Sequence, residues 1–262
     1  MRAGSGCGSQ LLRLGFCRLH RNWLLATTEK CHGPYDMCMP QLSPDGRTAR
    51  RLPLDEGTAP GNDPAGRKRA IREATRRARS TVTDAQRRAD DRSRARLALE
   101  LVAHDLAPGS VIACYLSVPG EPDTLELVEA LRAAGHRVLV PVLGRLPDGT
   151  PRHDVAWAWY EGPQALGPGL WSIPEPTGEA LPADALALAD LVFVSALGVG
   201  LDGSRLGTGG GWYDRALEHA RGGVPCWALV NDAEVVDRLP SEPHDHPMSG
   251  FVTSSRTKPT PA

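Results

Sequence analysis

From residue 110 to residue 253, short apolar runs alternate with helix-forming segments, and this alternation constrains the fold more than any other feature of the chain. Ser110–Leu116, Arg137–Leu143, Asp190–Ser195, Pro225–Asn231 and Gly250–Thr253 read as strands. Their apolar runs suit strands covered on both faces. Between them, Asp123–Ala134 carries Leu125, Val128 and Leu131 on one helical face and is closed by Gly135. Ala183–Ala189, Gly211–Arg221 and Ala233–Arg238 read as further helices. His153–Tyr160 alternates loosely, with Trp157 and Trp159 on one face, as an edge or antiparallel strand would. Strands that alternate with helices predict an α/β fold. We expect a three-layer sandwich around a mainly parallel, Rossmann-like open sheet.

Upstream lie two further helices. Arg67–Arg79 has Ile71, Ala74 and Ala78 at helical spacing, and Thr83-Asp84-Ala85-Gln86 is a capping-box signature that opens a helix running to about Asp105. These two segments hold twelve Lys/Arg against six Asp/Glu. Such an excess is either a solvated helical face or an anion site. Residues 1–66 lack periodicity, and Gln41–Gly66 is polar and turn-forming, which favours disorder. The expected organisation is a disordered extension over 1–66, an α/β domain over 67–256 and a flexible tail over 257–262. The first 28 residues hold arginines but no acid, as a transit peptide does. We read them as an upstream extension without a targeting role.

Composition excludes several classes. Net charge is −1, so the chain as a whole is no generic binder of nucleic acid or membrane. The longest mostly apolar run, Leu191–Leu201, is eleven residues, too short to span a bilayer as a helix. Cys7, Cys17, Cys31, Cys38, Cys114 and Cys226 include no C-x-x-C pair, and a reducing cytoplasm suits them. Cys31 and Cys38 with His20 and His32 fit no zinc spacing well, and Cys114 and Cys226 sit in apolar runs as plain core thiols. His244 and His246 lack a third nitrogen or sulfur ligand nearby in sequence.

The segment with chemistry is Gly198–Arg215, GVGLDGSRLGTGGGWYDR, in which seven of the first fourteen residues are glycine. It follows a buried strand and precedes a helix, so it belongs at the carboxyl edge of the sheet, where ligands bind. Glycines let successive amides approach phosphate, and Arg205 adds a planar fork suited to phosphate oxygens. Asp214 is suited to a hydrated magnesium ion. The Gly-Lys-Ser/Thr of a P-loop is absent, since none of the three lysines follows a glycine. Gly198-x-Gly200-x-x-Gly203 matches a dinucleotide fingerprint literally, but no helix opens at Gly203 and no acidic residue follows at the required strand end.

Arg205-Leu-Gly-Thr-Gly-Gly-Gly-Trp-Tyr-Asp-Arg215 closely resembles the signature of the 5-formyltetrahydrofolate cyclo-ligases, also called 5,10-methenyltetrahydrofolate synthetases. Four shorter elements resemble that family in order: Lys68-Arg69-Ala70-Ile71-Arg72, Tyr115-Leu116-Ser117 with Glu121-Pro122-Asp123-Thr124, Pro174-Glu175-Pro176, and Leu239-Pro240 with Glu242-Pro243-His244-Asp245. The resemblance implies ATP- and magnesium-dependent closure of 5-formyltetrahydrofolate to 5,10-methenyltetrahydrofolate through a phosphorylated formyl oxygen. By resemblance, Lys68, Arg69, Ala70, Ile71 and Arg72, together with Arg205, Leu206, Gly207, Thr208, Gly209, Gly210, Gly211, Trp212 and Tyr213, bind ATP. Leu116, Glu121 and Thr208–Trp212 border the folate, Asp214 and Asp245 hold Mg2+, and Arg205 and Tyr213 act in catalysis. The expected partners are the small-molecule folate and ATP, with no nucleic acid, membrane or obligate protein, in a cytoplasmic setting. The chain departs from the pattern with Trp212 for a common tyrosine, Gly210 for a lysine in some members, and Ser195 for a frequent proline. A nucleotide or folate binder without catalysis, or a basic-helix nucleic-acid binder, stands as the alternative.

Overall fold

The computed structural model describes residues 63–144, 149–150, 152–170, 173–242 and 245–261. The expectations for residues 1–62, the cysteine–histidine cluster among them, and for His244 lie outside the described residues.

The first helix, α1 (Pro64–Ser80), starts three residues before Arg67. Asp63 caps it by accepting from the amides of Ala65 and Gly66, each at 3.1 Å, and Pro64 sits at the first turn. Both choices satisfy amides that have no helical partner. Helix α2 (Asp84–Asp105) opens as expected, with Thr83 Oγ1 accepting from the Gln86 amide at 3.3 Å.

The chain then builds β1 (Val111–Cys114), α3 (Leu125–Ala133), β2 (Arg137–Pro141), β3 (Trp157–Trp159), the small hairpin β4 (Leu166–Pro168) and β5 (Pro174–Pro176), and β6 (Leu191–Ser195). There follow β7 (Gly198–Gly200), β8 (Arg205–Leu206), α4 (Trp212–Leu217), β9 (Cys226–Leu229), β10 (Val235–Val236), β11 (Gly250–Val252) and β12 (Thr257–Pro259). The main sheet has the order β12-β11-β9-β6-β1-β2-β3. Its five inner strands are parallel, and β3 and β12 close the two edges antiparallel. The fold is the expected α/β sandwich.

Side chains alternate across the sheet and divide the core in two. Ile112, Cys114, Leu191, Phe193 and Leu229 pack beneath α2 and α3 with Ala98, Val102, Leu127 and Leu131. Ala113, Leu139, Val192, Val194, Ala228 and Phe251 pack on the other face with Leu186, Ala216 and Leu217. Cys114 and Cys226 are buried free thiols, as read from their apolar runs. Burial pushes the Cys226 thiol up to about 11 and raises Cys114 further.

Four expectations change. Residues 257–259 pair with β11 as an edge strand instead of trailing as a tail. Ala233–Arg238 is one 3-10 turn, Asp232–Glu234, followed by β10, because the β-branched Val235-Val236 pairs parallel to β7. Ala183–Leu188 is a 3-10 segment, and α4 ends at Leu217 instead of Arg221. Past that point His219 and Ala220 make tighter i−3 bonds before Gly222-Gly223 and Pro225.

Candidate active site

Between β1 and β6 the direction of chain progression reverses: β2 lies on one side of β1, and β6, β9 and β11 lie on the other. The carboxyl ends of strands flanking such a reversal open a crevice. Glu121, on the loop after β1, and Ser195, the last residue of β6, meet across it, the Ser195 hydroxyl donating to Glu121 Oε1 at 2.7 Å. The Val118 amide donates to Glu121 Oε2 at 3.2 Å. Asp123 takes up the helix-entry role that Glu121 could have had, accepting from the Leu125 amide at 3.0 Å. Leu116 is buried beside this loop.

The glycine segment divides into two halves. Gly198–Leu206 is a hairpin of β7 and β8, in which the Gly200 amide donates to the Ser204 carbonyl at 2.7 Å and Gly203 turns the chain at φ +86°. A Cβ on Gly200 would stand 2.2 Å from Asp202 Oδ1, so these glycines serve close packing, not phosphate. The second half, Gly207–Gly211, is a loop with Thr208, Gly209 and Gly210 exposed. Arginines hold three of its carbonyls. Arg72 Nε donates to Gly207 O at 2.9 Å, Arg76 Nη2 to Thr208 O at 3.1 Å, and Arg215 Nη1 to Gly210 O at 3.2 Å. Across a trans peptide the next N–H points opposite to the carbonyl. The amides of Thr208, Gly209 and Gly211 therefore face away from those guanidinium groups.

Lys68, Arg72, Arg76 and Arg79 recur at helical spacing and form the stripe of α1 that meets the site, whereas Arg69 and Ala70 are exposed and Ile71 half-buried. Lys68 Nζ donates to Glu242 Oε2 at 2.8 Å and Asp245 Oδ2 at 2.9 Å. Burial alone would lower its pKa, and the two carboxylates more than offset that, leaving it raised. Arg79 is buried and forks onto Glu234 at 2.7 and 2.8 Å. Its Nη2 also donates to the Ala196 carbonyl at 2.7 Å. Arg76, Arg79, Ser195 and Glu234 were missed in the sequence reading, and the 68/72/76/79 spacing was the signal available for the two arginines.

Arg205 is buried and its guanidinium is ion-paired with Asp214. Tyr213 lies beside it, with the guanidinium 6.0 Å from the ring centroid. The Tyr213 hydroxyl is buried without a hydrogen-bond partner. Burial raises its pKa well above the ordinary phenol value, so it is protonated at neutral pH. Trp212 packs edge-on against Trp157 at 5.2 Å and against Tyr213 at 5.0 Å. Asp214 and Asp245, both expected at magnesium, are each held by a cation, and no group of three His, Cys, Asp or Glu able to hold a metal occurs among the described residues. As arranged, they do not fit a protein-held magnesium centre. A concavity of about 640 Å3 is lined by Arg152, His153, Arg215 and His219 among others.

A model of the 5-formyltetrahydrofolate cyclo-ligase family matches residues 64–254. The chain belongs to that family. The cyclo-ligase of Mycolicibacterium smegmatis is 37% identical over 148 residues, covering 56% of this chain and 75% of that protein. The Escherichia coli K12 cyclo-ligase is 32% identical over 148 residues, covering 55% and 78%. Among solved structures, the 5,10-methenyltetrahydrofolate synthetase of Aquifex aeolicus aligns with a TM-score of 0.58 at 23% identity, over 73% of this chain and 92% of that one. It shares the cyclo-ligase fold seen here. In this cyclo-ligase family chain the Arg205–Arg215 signature thus runs from buried β8 through the loop Gly207–Gly211, held from α1 by Arg72 and Arg76, into α4. Among the described residues no helix is long and apolar enough to cross a membrane.

Proposed function

We propose that this chain closes N5-formyltetrahydrofolate to 5,10-methenyltetrahydrofolate with ATP as phosphoryl donor, releasing ADP and phosphate. The observation that carries the reading is the loop Gly207–Gly211, three of whose carbonyls are held by arginines so that the Thr208, Gly209 and Gly211 amides face away from those guanidinium groups. Outward amides beside buried cations suit a triphosphate. Glu121 at the crevice suits the pterin, because a carboxylate accepts two parallel bonds from a guanidine-like ring edge.

In the reaction the formyl oxygen attacks the γ-phosphorus and the bond to ADP breaks. N10 then adds to the activated formyl carbon, loses its proton, and the C–O bond breaks to release phosphate. Phosphoryl transfer asks the protein for alignment and charge neutralisation. Arg205 supplies a fixed cation, and the protonated Tyr213 hydroxyl supplies a donor in a dry setting. Ring closure gains from proximity, since both nitrogens belong to one bound molecule. Magnesium enters as the counter-ion of the ATP phosphates. With phosphate oxygens taking the place of the carboxylates at Lys68 and Arg205, Asp245 and Asp214 would be the residues able to share in holding that ion, whose charge would offset that of the phosphates. A cytoplasmic setting, and the lack of any need for nucleic acid, membrane or protein partner, go with this reading.

The test is growth of the methenyl chromophore on mixing the full chain with 5-formyltetrahydrofolate, ATP and magnesium. Arg205→Ala lowers turnover by on the order of 10²–10³, as loss of a preorganised charge does. An unchanged rate takes Arg205 out of the mechanism, and no chromophore with wild-type protein ends the proposal.

A further inference from the structure

Glu121 is held more tightly than a substrate-facing carboxylate on a loop needs to be. Each of its oxygens takes one protein donor, Ser195 Oγ at 2.7 Å on Oε1 and the Val118 amide at 3.2 Å on Oε2. Two donors on opposite oxygens fix the rotation of the carboxylate plane. Each oxygen keeps a second lone pair for a ligand.

Beneath this pair lies Arg79. Its Nη2 donates to the carbonyl of Ala196, the residue after Ser195, at 2.7 Å, and its Nη1 reaches the carbonyl of Gly120, the residue before Glu121, at 3.5 Å. One guanidinium therefore ties the two backbone segments that carry the Glu121–Ser195 pair. It is itself immobilised by the fork onto Glu234, and both side chains are buried. Glu234 is fixed in turn by the Asn231 amide and side chain, each at 2.8 Å, and Asn231 by Arg94 at 2.7 Å. Arg94 reaches Asp91 at 2.6 Å, which accepts from the Asp123 amide at 3.1 Å. The chain of bonds leaves α1, passes through the turn after β9 and through α2, and returns to the loop that carries Glu121.

We propose that Ser195 and Arg79 are positioning residues for the folate-recognising carboxylate of Glu121, Ser195 setting its rotation and Arg79 setting the separation of the two segments that carry the pair. This rests on the reading of Glu121 as the pterin contact. A planar ligand edge gains two parallel bonds only when the carboxylate plane matches it, so misorientation acts on folate and not on ATP.

The experiment measures calorimetric binding of 5-formyltetrahydrofolate and, separately, of ATP to the full-length chain, with KM and kcat for each substrate. The variants are Ser195→Ala, Ser195→Thr, Arg79→Lys and Glu121→Gln. Ser195→Ala weakens folate binding about tenfold, the low end for a hydrogen bond to a charged group. It leaves ATP binding within twofold, and Ser195→Thr restores folate affinity. Arg79→Lys raises the folate KM with the ATP KM unchanged. Ser195→Ala removes a hydroxyl without exposing a buried charge, so it reports even where Arg79→Lys does not fold. Unchanged folate affinity in Ser195→Ala, or equal losses for folate and ATP, overturns the proposal. Unchanged folate binding in Glu121→Gln removes the reading beneath it, and absent folate binding by wild-type protein refutes the function itself.

Discussion

Substituting Glu234 by alanine tests whether the Arg79–Glu234 pair is a buried ion pair in the thermodynamic sense. Glu234 is 4% exposed and Arg79 6%. The carboxylate accepts from Arg79 Nε at 2.7 Å and Nη2 at 2.8 Å, and from the Asn231 amide and Nδ2, each at 2.8 Å. Alanine deletes all four acceptor contacts and leaves a guanidinium in the interior with the Ala196 carbonyl as its remaining close acceptor. Removing one partner of a buried pair costs about 3–5 kcal/mol. For a domain of this size each kcal/mol corresponds to about 2–4 °C, so the melting temperature falls by roughly 6–20 °C. Glu234→Gln keeps one acceptor oxygen but turns an N–H2 toward existing donors, for a loss of about 1–3 kcal/mol. Arg79→Met in the Glu234→Ala background removes the stranded charge and recovers part of the loss. Urea unfolding at pH 7, followed by circular dichroism, measures all three. A Glu234→Ala change below about 1 kcal/mol, or a double variant less stable than the sum of its singles, refutes the reasoning.

Gly250 pairs in register with Trp227, and a Cβ there would stand 2.4–2.6 Å from the indole ring, so Gly250→Ala destabilises by about 1–3 kcal/mol. Trp227→Leu in that background recovers much of it, and equal urea midpoints for Gly250→Ala and wild type contradict the packing. Tyr160 donates to Glu129 at 3.0 Å, and burial followed by that bond raises its pKa to about 12. The folded chain therefore binds more protons than the unfolded one from pH 10 upward, and stability present below pH 10 is lost as pH rises toward 12. Tyr160→Phe flattens that alkaline slope, and an identical slope refutes the assignment. Cys114 and Cys226, buried and with raised pKa values, resist maleimide at pH 8 in the native chain and react on unfolding, which peptide mapping by mass spectrometry reads. Labelling of either in the native state contradicts their burial.

The parallel strands were legible because each is apolar along nearly all of its length, with Arg137 at the start of β2 and Ser195 at the end of β6 as the polar termini, as suits strands covered on both faces. The start of α1 was also present in the letters, as Asp63-Pro64, but the polar stretch before it masked that cap. Val235-Val236 read as helix because two residues carry no period, and their strand state comes from β7, a partner far away in sequence. The edge strand at 257–259 likewise exists only because β11 is there to pair with it.

For the site, the order of types along the chain pointed to phosphate chemistry, since glycine spacing, an arginine and neighbouring acids are local properties of the sequence, and the resemblance to the cyclo-ligases supplied the pterin. Which of them meet was decided by the fold. The resemblance assigns Asp214 and Asp245 to magnesium, and the tertiary structure sets each against a cation, because charges brought out of water take the nearest opposite charge. Gly198–Gly203 and Gly207–Gly211 look alike as letters, yet one half closes a hairpin and the other presents backbone to solvent. Ser195 and Glu234 became visible only once the fold set them against Glu121 and Arg79, since contacts across 74 and 155 residues leave no local trace, whereas Arg79 shows in the sequence only through its helical spacing from Lys68, Arg72 and Arg76.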